Sequence, residues 1–236
     1  MSNNNKIKSA DRRAFLGKVT GAAALMGVAS LINPAKANDL ADDHIMRFSG
    51  EADDPEEFFK MLRGKHRVVF DVTEPKEIFP FAWPKIFIMT NLASGASDKD
   101  CSAVVVLRHN AIPYAMQDSL WAKYKFGEMF KVNDPETKAA AVRNPFWKPK
   151  PDDFSVPGLG QVGLGIPELQ TMGINFCVCG MAMTVFSAVV ASQTGGQAAD
   201  IRKDWVAGLI PGIPVMPSGV WAVGRAQEHD CGYCFV

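Results

Sequence analysis

Short apolar blocks alternate with helical patterns along most of the chain. Five blocks have the length and residue types of β-strands: 65–72, 102–108, 174–179, 209–215 and 232–236. Helical patterns lie before and between them: 55–63, 81–92, 113–131, 181–192 and 217–229. Continuous apolar runs are typical of strands that are buried on both faces. The pattern therefore predicts an α/β fold in which helices cover both faces of a mainly parallel five-stranded sheet.

Two stretches depart from this regular alternation. Residues 38–63 are mostly polar, and we interpret them as an N-terminal leader that ends in a short helix, ahead of a single α/β domain at 64–236. Within that domain, the segment 133–165 is rich in proline and glycine but also contains aromatic residues such as Phe146 and Trp147. Aromatic side chains favour burial, so we predict that this segment is an ordered excursion from the domain and not a linker between two domains.

The first 37 residues have the pattern of an export signal. Arg12 and Arg13 resemble the paired arginines of a twin-arginine motif, and an uncharged segment follows at 19–32. Ala35 and Ala37 are small residues at the two positions that a signal peptidase reads. We expect cleavage after Ala37, recognition by the twin-arginine export machinery and export of the folded protein to the periplasm. The alternative is an uncleaved anchor, although the segment is short and weakly apolar for a membrane span.

The charge balance narrows the class of partner. The full chain has a formal net charge of zero, and the segment 1–37 contains more basic than acidic residues. The mature chain is therefore mildly acidic. Such a surface argues against nucleic acid or anionic lipid as the partner.

Cys179 is the main candidate for chemistry. It lies at the junction between the strand 174–179 and the helix 181–192, beside Gly180, which leaves space for a ligand to approach the backbone. The free N–H groups and dipole of a helix N-terminus favour an anion, here the nucleophilic thiolate. The alternative is a buried cysteine that acts as a small apolar residue, and that is the interpretation we adopt for Cys177.

Other candidate residues follow neighbouring strands at the carboxyl edge of the sheet. Arg108 and His109 follow the second strand, where they could favour the thiolate of Cys179 or bind an anionic sulfur species, although a structural histidine is equally consistent. Ser218 and Gly219 begin the helix 217–229, where backbone donors could bind an anion. An ordinary N-cap explains Ser218 equally well.

Three further features have weaker functional interpretations. Trp121 and Tyr124 lie at helical spacing on one side of 113–131 and could line a site, but core packing explains them as well. Cys231 and Cys234 have the CxxC spacing of redox and metal sites, yet the pair lies at the start of a strand and no second pair completes a zinc site. In an oxidising compartment Cys101, Cys177, Cys231 and Cys234 could include a disulfide. We expect no metal.

The residues from 173 onward resemble a known family. The segment 173–183, which contains Cys179, is followed by Pro217-Ser218-Gly219-Val220, by Ala226-Gln227-Glu228 and by Gly232-Tyr233. This order and spacing are similar to the DsrE/DsrF-like family of sulfur-relay proteins, and to its exported members with twin-arginine signals. The resemblance covers roughly residues 64–236.

The resemblance implies a flavodoxin-like three-layer α/β/α fold that often assembles into homo-oligomers such as trimers or hexamers. It also implies that Cys179 carries sulfur as a persulfide, without a metal or an organic cofactor. The excursion at 133–165 and the aromatic residues after His109 depart from the plain sulfur-relay pattern. The family's cytoplasmic relay partners also differ from those that an exported protein would meet.

Three function classes stay open at this stage. The first is a periplasmic sulfur carrier or sulfurtransferase-like protein that exchanges sulfur at Cys179 with a donor or acceptor protein or with a small sulfur species. The second is a non-catalytic small-ligand-binding or assembly module with the same fold, in which Cys179 is only buried. The third is a thiol–disulfide protein that uses Cys231 and Cys234.

Overall fold

Residues 54–236 are described by a computed structural model. The predicted export signal at 1–37 and most of the leader at 38–63 lie outside the described residues. No helix within 54–236 is both long and apolar enough to cross a membrane.

Strands and helices alternate along the described chain. The strands are β1 (His66–Val72), β2 (Cys101–Leu107), β3 (Ser155–Val156), β4 (Gly160–Gln161), β5 (Ile174–Cys179), β6 (Val215–Met216) and β7 (Gly232–Phe235). The helices are α1 (Pro55–Lys60), α2 (Phe79–Ala93), α3 (Asp118–Tyr124), α4 (Phe126–Met129), α5 (Ile166–Thr171), α6 (Gly180–Thr194), α7 (Ala198–Ala207) and α8 (Gly219–Glu228). Two 3-10 helices precede and follow β2, at Asp98–Asp100 and His109–Ala115.

Five of the strands form one sheet in the order β6-β5-β2-β1-β7, and every neighbouring pair in it is parallel. β3 and β4 form a separate antiparallel pair within the excursion. The central strand β2 is buried along its whole length, which is why its sequence is a continuous apolar run. The predicted parallel five-stranded sheet is confirmed.

Chain connectivity explains the two helical layers. From β1 through β2 and β5 to β6 the chain steps across the sheet in one direction, so right-handed crossovers place the intervening helices on one face. This α2 face buries residues of α2 to α7. The last connection runs from β6 back to β7, on the far side of β1, so α8 lies on the opposite face of the sheet. The helix α1 lies on that face as well, and we call it the α8 face. The three-layer α/β/α fold is confirmed.

The packed domain begins before residue 64, where we predicted its start. Asp54 caps α1 by accepting a hydrogen bond from the backbone N–H of Glu56 at 2.9 Å. Phe58 and Phe59 of α1 are buried with residues of the sheet and of α8 on the α8 face. The predicted helix at 55–63 is therefore present, and it is part of the core.

Some predicted elements are wrong in detail. The helix predicted within 113–131 is divided into α3 and α4, which follow a 3-10 helix, because Lys125 adopts a left-handed conformation (φ 53°) that ends α3. The strand predicted over 209–215 shortens to β6, since Pro211 and Pro214 cannot donate ladder hydrogen bonds. The helix predicted at 81–92 begins two residues earlier, at Phe79, and Pro84 lies inside it. The helix α7 was not predicted.

The excursion at 133–165 is ordered, as predicted. Phe146 stacks between Phe81 of α2, at a ring distance of 3.9 Å, and Phe154, at 4.8 Å. Arg143 donates to the buried carboxylate of Asp134 and to that of Asp153, which joins two parts of the excursion. Aromatic burial and these ion pairs give the segment its fixed shape despite its many prolines and glycines.

Candidate functional site

The helices that follow β5 and β6 diverge to opposite faces of the sheet. Cys179, the last residue of β5, is paired with Met216, the last residue of β6. From these two points α6 runs onto the α2 face and α8 runs onto the α8 face. In open parallel sheets, ligands bind in the crevice that such a divergence creates at the carboxyl ends of the strands. We call this place the Cys179 crevice.

Cys179 is the N-cap of the 15-residue helix α6. Its Sγ accepts a hydrogen bond from the backbone N–H of Ala182 at 3.3 Å, and the residue is 6% exposed. Gly180 is the buried first residue of the helix. The predicted position of Cys179 at a helix N-terminus is confirmed, and the free N–H groups and the helix dipole at that end favour a bound anion.

Arg108 is fixed beside the crevice by a buried carboxylate. Its Nε and Nη2 donate to Oδ1 and Oδ2 of Asp71 at 2.5 and 2.9 Å, and the Asp71 side chain is 3% exposed. The hydroxyl of Tyr233 donates to the same carboxylate at 2.8 Å. The hydrogen bond from Asp71 raises the pKa of Arg108, and the nearby charge of a Cys179 thiolate raises it further. The bidentate pair therefore holds a permanent cation close to Cys179.

Asp71 and Tyr233 were not recognised as site residues from the sequence. Asp71 is an acidic residue within the apolar run of β1, and Tyr233 was noted only as part of the family resemblance. The signal that was overlooked is the charge itself, because a buried carboxylate in an apolar strand requires a partner. That partner, Arg108, is 37 residues away along the chain and follows β2, whereas Asp71 lies in β1.

Gly219 allows Arg108 to lie against α8. A Cβ atom at Gly219 would be 2.5 Å from Cβ and 2.7 Å from Cδ of Arg108, and no real Cβ makes contacts that short. Ser218 caps α8 by accepting from the backbone N–H of Trp221 at 3.2 Å. The structure thus gives Ser218 the capping role that the sequence left open, and Gly219 a packing role.

We expect Gly219→Ala to destabilise the fold by about 1–3 kcal/mol, because the new methyl group overpacks against Arg108. Gly224→Ala is the matched control, since Gly224 is in the same helix and a Cβ there has no heavy atom within 4 Å. That control should stabilise the protein by about 0.5–1 kcal/mol through helix propensity. Urea unfolding measures both changes, and equal effects at the two positions would contradict the packing assignment.

His109 contacts Glu74 and Phe186. Its side chain is 54% exposed, with Nε2 at 3.7 Å from Oε1 of Glu74 and its ring 6.1 Å from that of Phe186. Phe186 is in the second turn of α6, about 10 Å along the helix from Cys179. Of the two helpers predicted after β2, Arg108 lies beside Cys179, and the contacts of His109 are with Glu74 and Phe186.

Trp121 and Tyr124 are not brought to the Cys179 crevice. Trp121 is fully buried and its Nε1 donates to the carbonyl of Pro113 at 3.0 Å. The hydroxyl of Tyr124 bonds to Asp204 of α7 at 2.8 Å. Both residues therefore make the contacts of core packing, which was the alternative to a role in lining a site.

All five cysteines are free thiols. Burial raises the pKa of four of them, so those thiols stay protonated at neutral pH: Cys101, Cys177, Cys231 and Cys234. Cys177 is fully buried in the core on the α8 face, as we interpreted it from the sequence. Within 54–236 no three His, Cys, Asp or Glu side chains cluster as a metal site.

The tyrosines give a test of the buried contacts. The pKa of all three is raised, for Tyr114 by burial, for Tyr124 by burial and then by Asp204, and for Tyr233 by its hydrogen bond to Asp71 and then by burial. Each of these pKa values is higher in the folded than in the unfolded state. The stabilisation that each protonated tyrosine contributes is therefore fully present below about pH 10 and is lost as pH rises above it. Absorbance at 295 nm should therefore show phenolate formation at a higher pH in the folded protein than in the unfolded protein. Equal titration of the folded and unfolded proteins would contradict these contacts.

Comparison with known proteins leaves the family open. No family model matches the chain, and no curated protein matches it significantly. A solved structure of a protein of unknown function from Methanobacterium thermoautotrophicum is similar to it with a TM-score of 0.37 and 17% sequence identity, over 72% of this chain and 99% of that chain. At that level of similarity neither fold detail nor function transfers from that protein.

Proposed function

We propose that this protein is a periplasmic member of the DsrE/DsrF-like family that binds or transfers sulfane sulfur as a persulfide on Cys179. The observation that supports this most is the position of the Cys179 Sγ, which caps a 15-residue helix in the crevice between α6 and α8. The paired Arg12 and Arg13 of the sequence support the periplasmic location.

The proposed step is an exchange of one sulfur atom. The deprotonated Sγ of Cys179 attacks the terminal sulfane sulfur of a polysulfide, and a new S–S bond forms on the protein. The S–S bond inside the polysulfide breaks, and the polysulfide leaves one atom shorter with the electron pair of that bond. No external oxidant or reductant is needed, because the sulfane sulfur is the oxidised atom throughout.

The surrounding residues support this step by charge and by space. A persulfide is an anion, and the N–H groups at the start of α6 together with Arg108 stabilise it. Gly180 has no side chain that would narrow the crevice, and Gly219 leaves room for Arg108 beside it. The other four thiols are disfavoured as acceptors, since burial raises the pKa of each of them.

We further propose that copies of the chain contact each other through the rim of the crevice. Met181 and Val185 of α6 and Val220 of α8 are exposed apolar residues near the crevice, at 37%, 38% and 66%. Contact between copies would cover these side chains and would shield a persulfide from competing thiols. A homo-oligomer is therefore part of the proposal.

The burial of Cys179 favours a second candidate. In a single chain its exposed fraction is 6%, which is also what a non-catalytic small-ligand-binding or assembly module would have. In that case the crevice binds a ligand or a subunit, and the thiol only fills space.

Sulfur loading distinguishes the two candidates. The mature protein is incubated with polysulfide at neutral pH, and its intact mass is measured before and after treatment with a reductant. The sulfur carrier gains one reducible sulfur atom, which peptide mapping places on Cys179. Absence of a gain, or a gain that maps only to other cysteines, would favour the non-catalytic module.

A further inference from the structure

The two outer strands of the sheet differ in how well they are covered. β6 and β7 are the outer strands, and each pairs with one neighbour. Both residues of β6, Val215 and Met216, are buried. In β7, by contrast, Tyr233 and Phe235 are 50% and 55% exposed, and Gly232 is exposed as well. The outer side of Gly232–Phe235 is therefore open, and we call it the β7 edge.

Hydrogen bonds to β1 show which backbone groups of β7 face outwards. The N–H of Val236 donates to the carbonyl of Asp71 in β1 at 3.0 Å. Backbone groups of successive residues in a strand point to opposite sides, so those of Cys234 also face β1 and those of Tyr233 and Phe235 face outwards. The N–H and C=O groups of Tyr233 and Phe235 are thus placed to pair with a further strand.

The β7 edge lacks the features that usually prevent edge strands from pairing. Such edges are commonly protected by charged side chains, proline, a bulge or a covering element. The four residues of β7 include no charge and no proline. They pair with β1 in unbroken register, so β7 has no bulge, and no further strand within 54–236 pairs with it. An exposed aromatic edge without this protection is typical of a surface that pairs with another chain.

A second β7 strand fits this edge in one antiparallel register. When the two-fold axis passes beside Cys234, Tyr233 lies opposite the partner's Phe235, and Phe235 lies opposite the partner's Tyr233. The outward backbone groups of these residues are then all paired, because opposite residues of this kind exchange both N–H···O bonds. Cross-strand aromatic pairs stabilise a sheet, and no like charges meet in this register. The edge is therefore complementary to itself, as a two-fold contact between copies requires.

From this open and self-complementary edge, we propose that two copies of the protein join at β7, so that their sheets form one continuous sheet. This contact differs from the one proposed at the rim of the Cys179 crevice, which uses side chains of α6 and α8, and it does not depend on sulfur chemistry. It extends to the site, because Tyr233 donates to the carboxylate of Asp71 that fixes Arg108. The partner's Phe235 packs beside the ring of Tyr233 and reduces the access of water to that hydrogen bond.

Cys234 provides a direct test of the register. It lies opposite the partner's Cys234 in a non-hydrogen-bonded pair, where Cα atoms are about 4.5 Å apart, and disulfides bridge Cα distances of about 4.4–6.8 Å. The mature protein is treated with diamide, which accepts the two hydrogen atoms that the two thiols lose. We expect a linked dimer on non-reducing electrophoresis, and peptide mapping should assign the disulfide to Cys234 of both copies. No linked dimer, or a dimer linked only through other cysteines, would overturn the proposal.

Phe235→Lys tests whether the β7 edge brings the copies together. The lysine removes the aromatic pairs and adds a charge, so the yield of the Cys234-linked dimer should fall at least about tenfold. Val220→Lys is the matched control, since Val220 is also apolar and is 66% exposed but belongs to the rim of the crevice. It should leave the yield unchanged. An equal loss in both variants would assign the contact to the rim and overturn pairing through β7.

Hydrogen exchange tests the same contact without a substitution. The amides of Tyr233 and Phe235 gain hydrogen-bond partners only in the dimer, whereas the amide of Cys234 faces β1 in either state. Since so short an interface is expected to be weak, exchange is measured at about 10 µM and about 1 mM protein. At the higher concentration Tyr233 and Phe235 should exchange at least about tenfold more slowly than unstructured amides. Exchange of both at the unstructured rate at both concentrations, with Cys234 protected, would overturn the proposal.

Discussion

Replacement of Cys179 by serine is expected to abolish the gain of sulfur on exposure to polysulfide while the fold stays intact. The hydroxyl cannot form a persulfide, so no chemistry remains at this position. Folding should survive because serine is a preferred N-cap, and its Oγ can accept the hydrogen bond that the Ala182 N–H now donates to sulfur. Intact mass measures loading, and thermal unfolding should show a stability equal to or slightly above that of the wild type.

Cys234→Ser provides the control for this substitution. Cys234 is the most exposed of the five cysteines, so it is the best alternative acceptor on grounds of access. Its replacement should leave sulfur loading unchanged. If Cys179→Ser still gains sulfur and Cys234→Ser does not, the acceptor is Cys234 and the assignment of Cys179 is wrong.

Asp71→Asn is expected to destabilise the protein by about 2–4 kcal/mol. The neutral amide keeps the shape of the side chain but leaves the guanidinium of Arg108 partly buried without its counter-charge. Part of the Arg108 side chain, 26%, is exposed, so water compensates some of the loss. Because Arg108 is no longer fixed beside Cys179, sulfur loading should also become slower.

An exposed ion pair supplies the comparison for Asp71. Asp230 lies 3.5 Å from Arg67, and its side chain is 83% exposed. Asp230→Asn should change stability by less than about 1 kcal/mol, since exposed pairs contribute little. Urea unfolding measures both variants. Similar small effects at the two positions would show that the Asp71 pair does not stabilise the sheet edge.

The sequence was sufficient to predict the sheet and the position of Cys179. Strands buried on both faces produce continuous apolar runs, so β1, β2 and β5 could be recognised without other information. The junction of β5 with α6 was visible because the residue pattern changes there from strand to helix. These features depend on neighbours in sequence, which is why local patterns predict them.

Features that depend on distant contacts could not be predicted in this way. The side chains of Asp71 and Tyr233 meet only because β7 pairs with β1, and they are 162 residues apart in the chain. The left-handed backbone of His109 (φ 50°) is uncommon for non-glycine residues, and a local hydrophobic pattern does not indicate it. The contact between Phe146 and Phe81 likewise forms only when the excursion folds back onto α2.

The most direct test of the account is cyanolysis of the sulfur-loaded protein. Cyanide attacks the outer sulfur of a persulfide, so thiocyanate is released and the Cys179 thiolate is restored. After loading with polysulfide and removal of the excess, the account predicts about one thiocyanate per chain from the wild type and none from Cys179→Ser. Wild-type protein that releases no thiocyanate, although its thiols are free, would contradict the claim that this protein carries transferable sulfur.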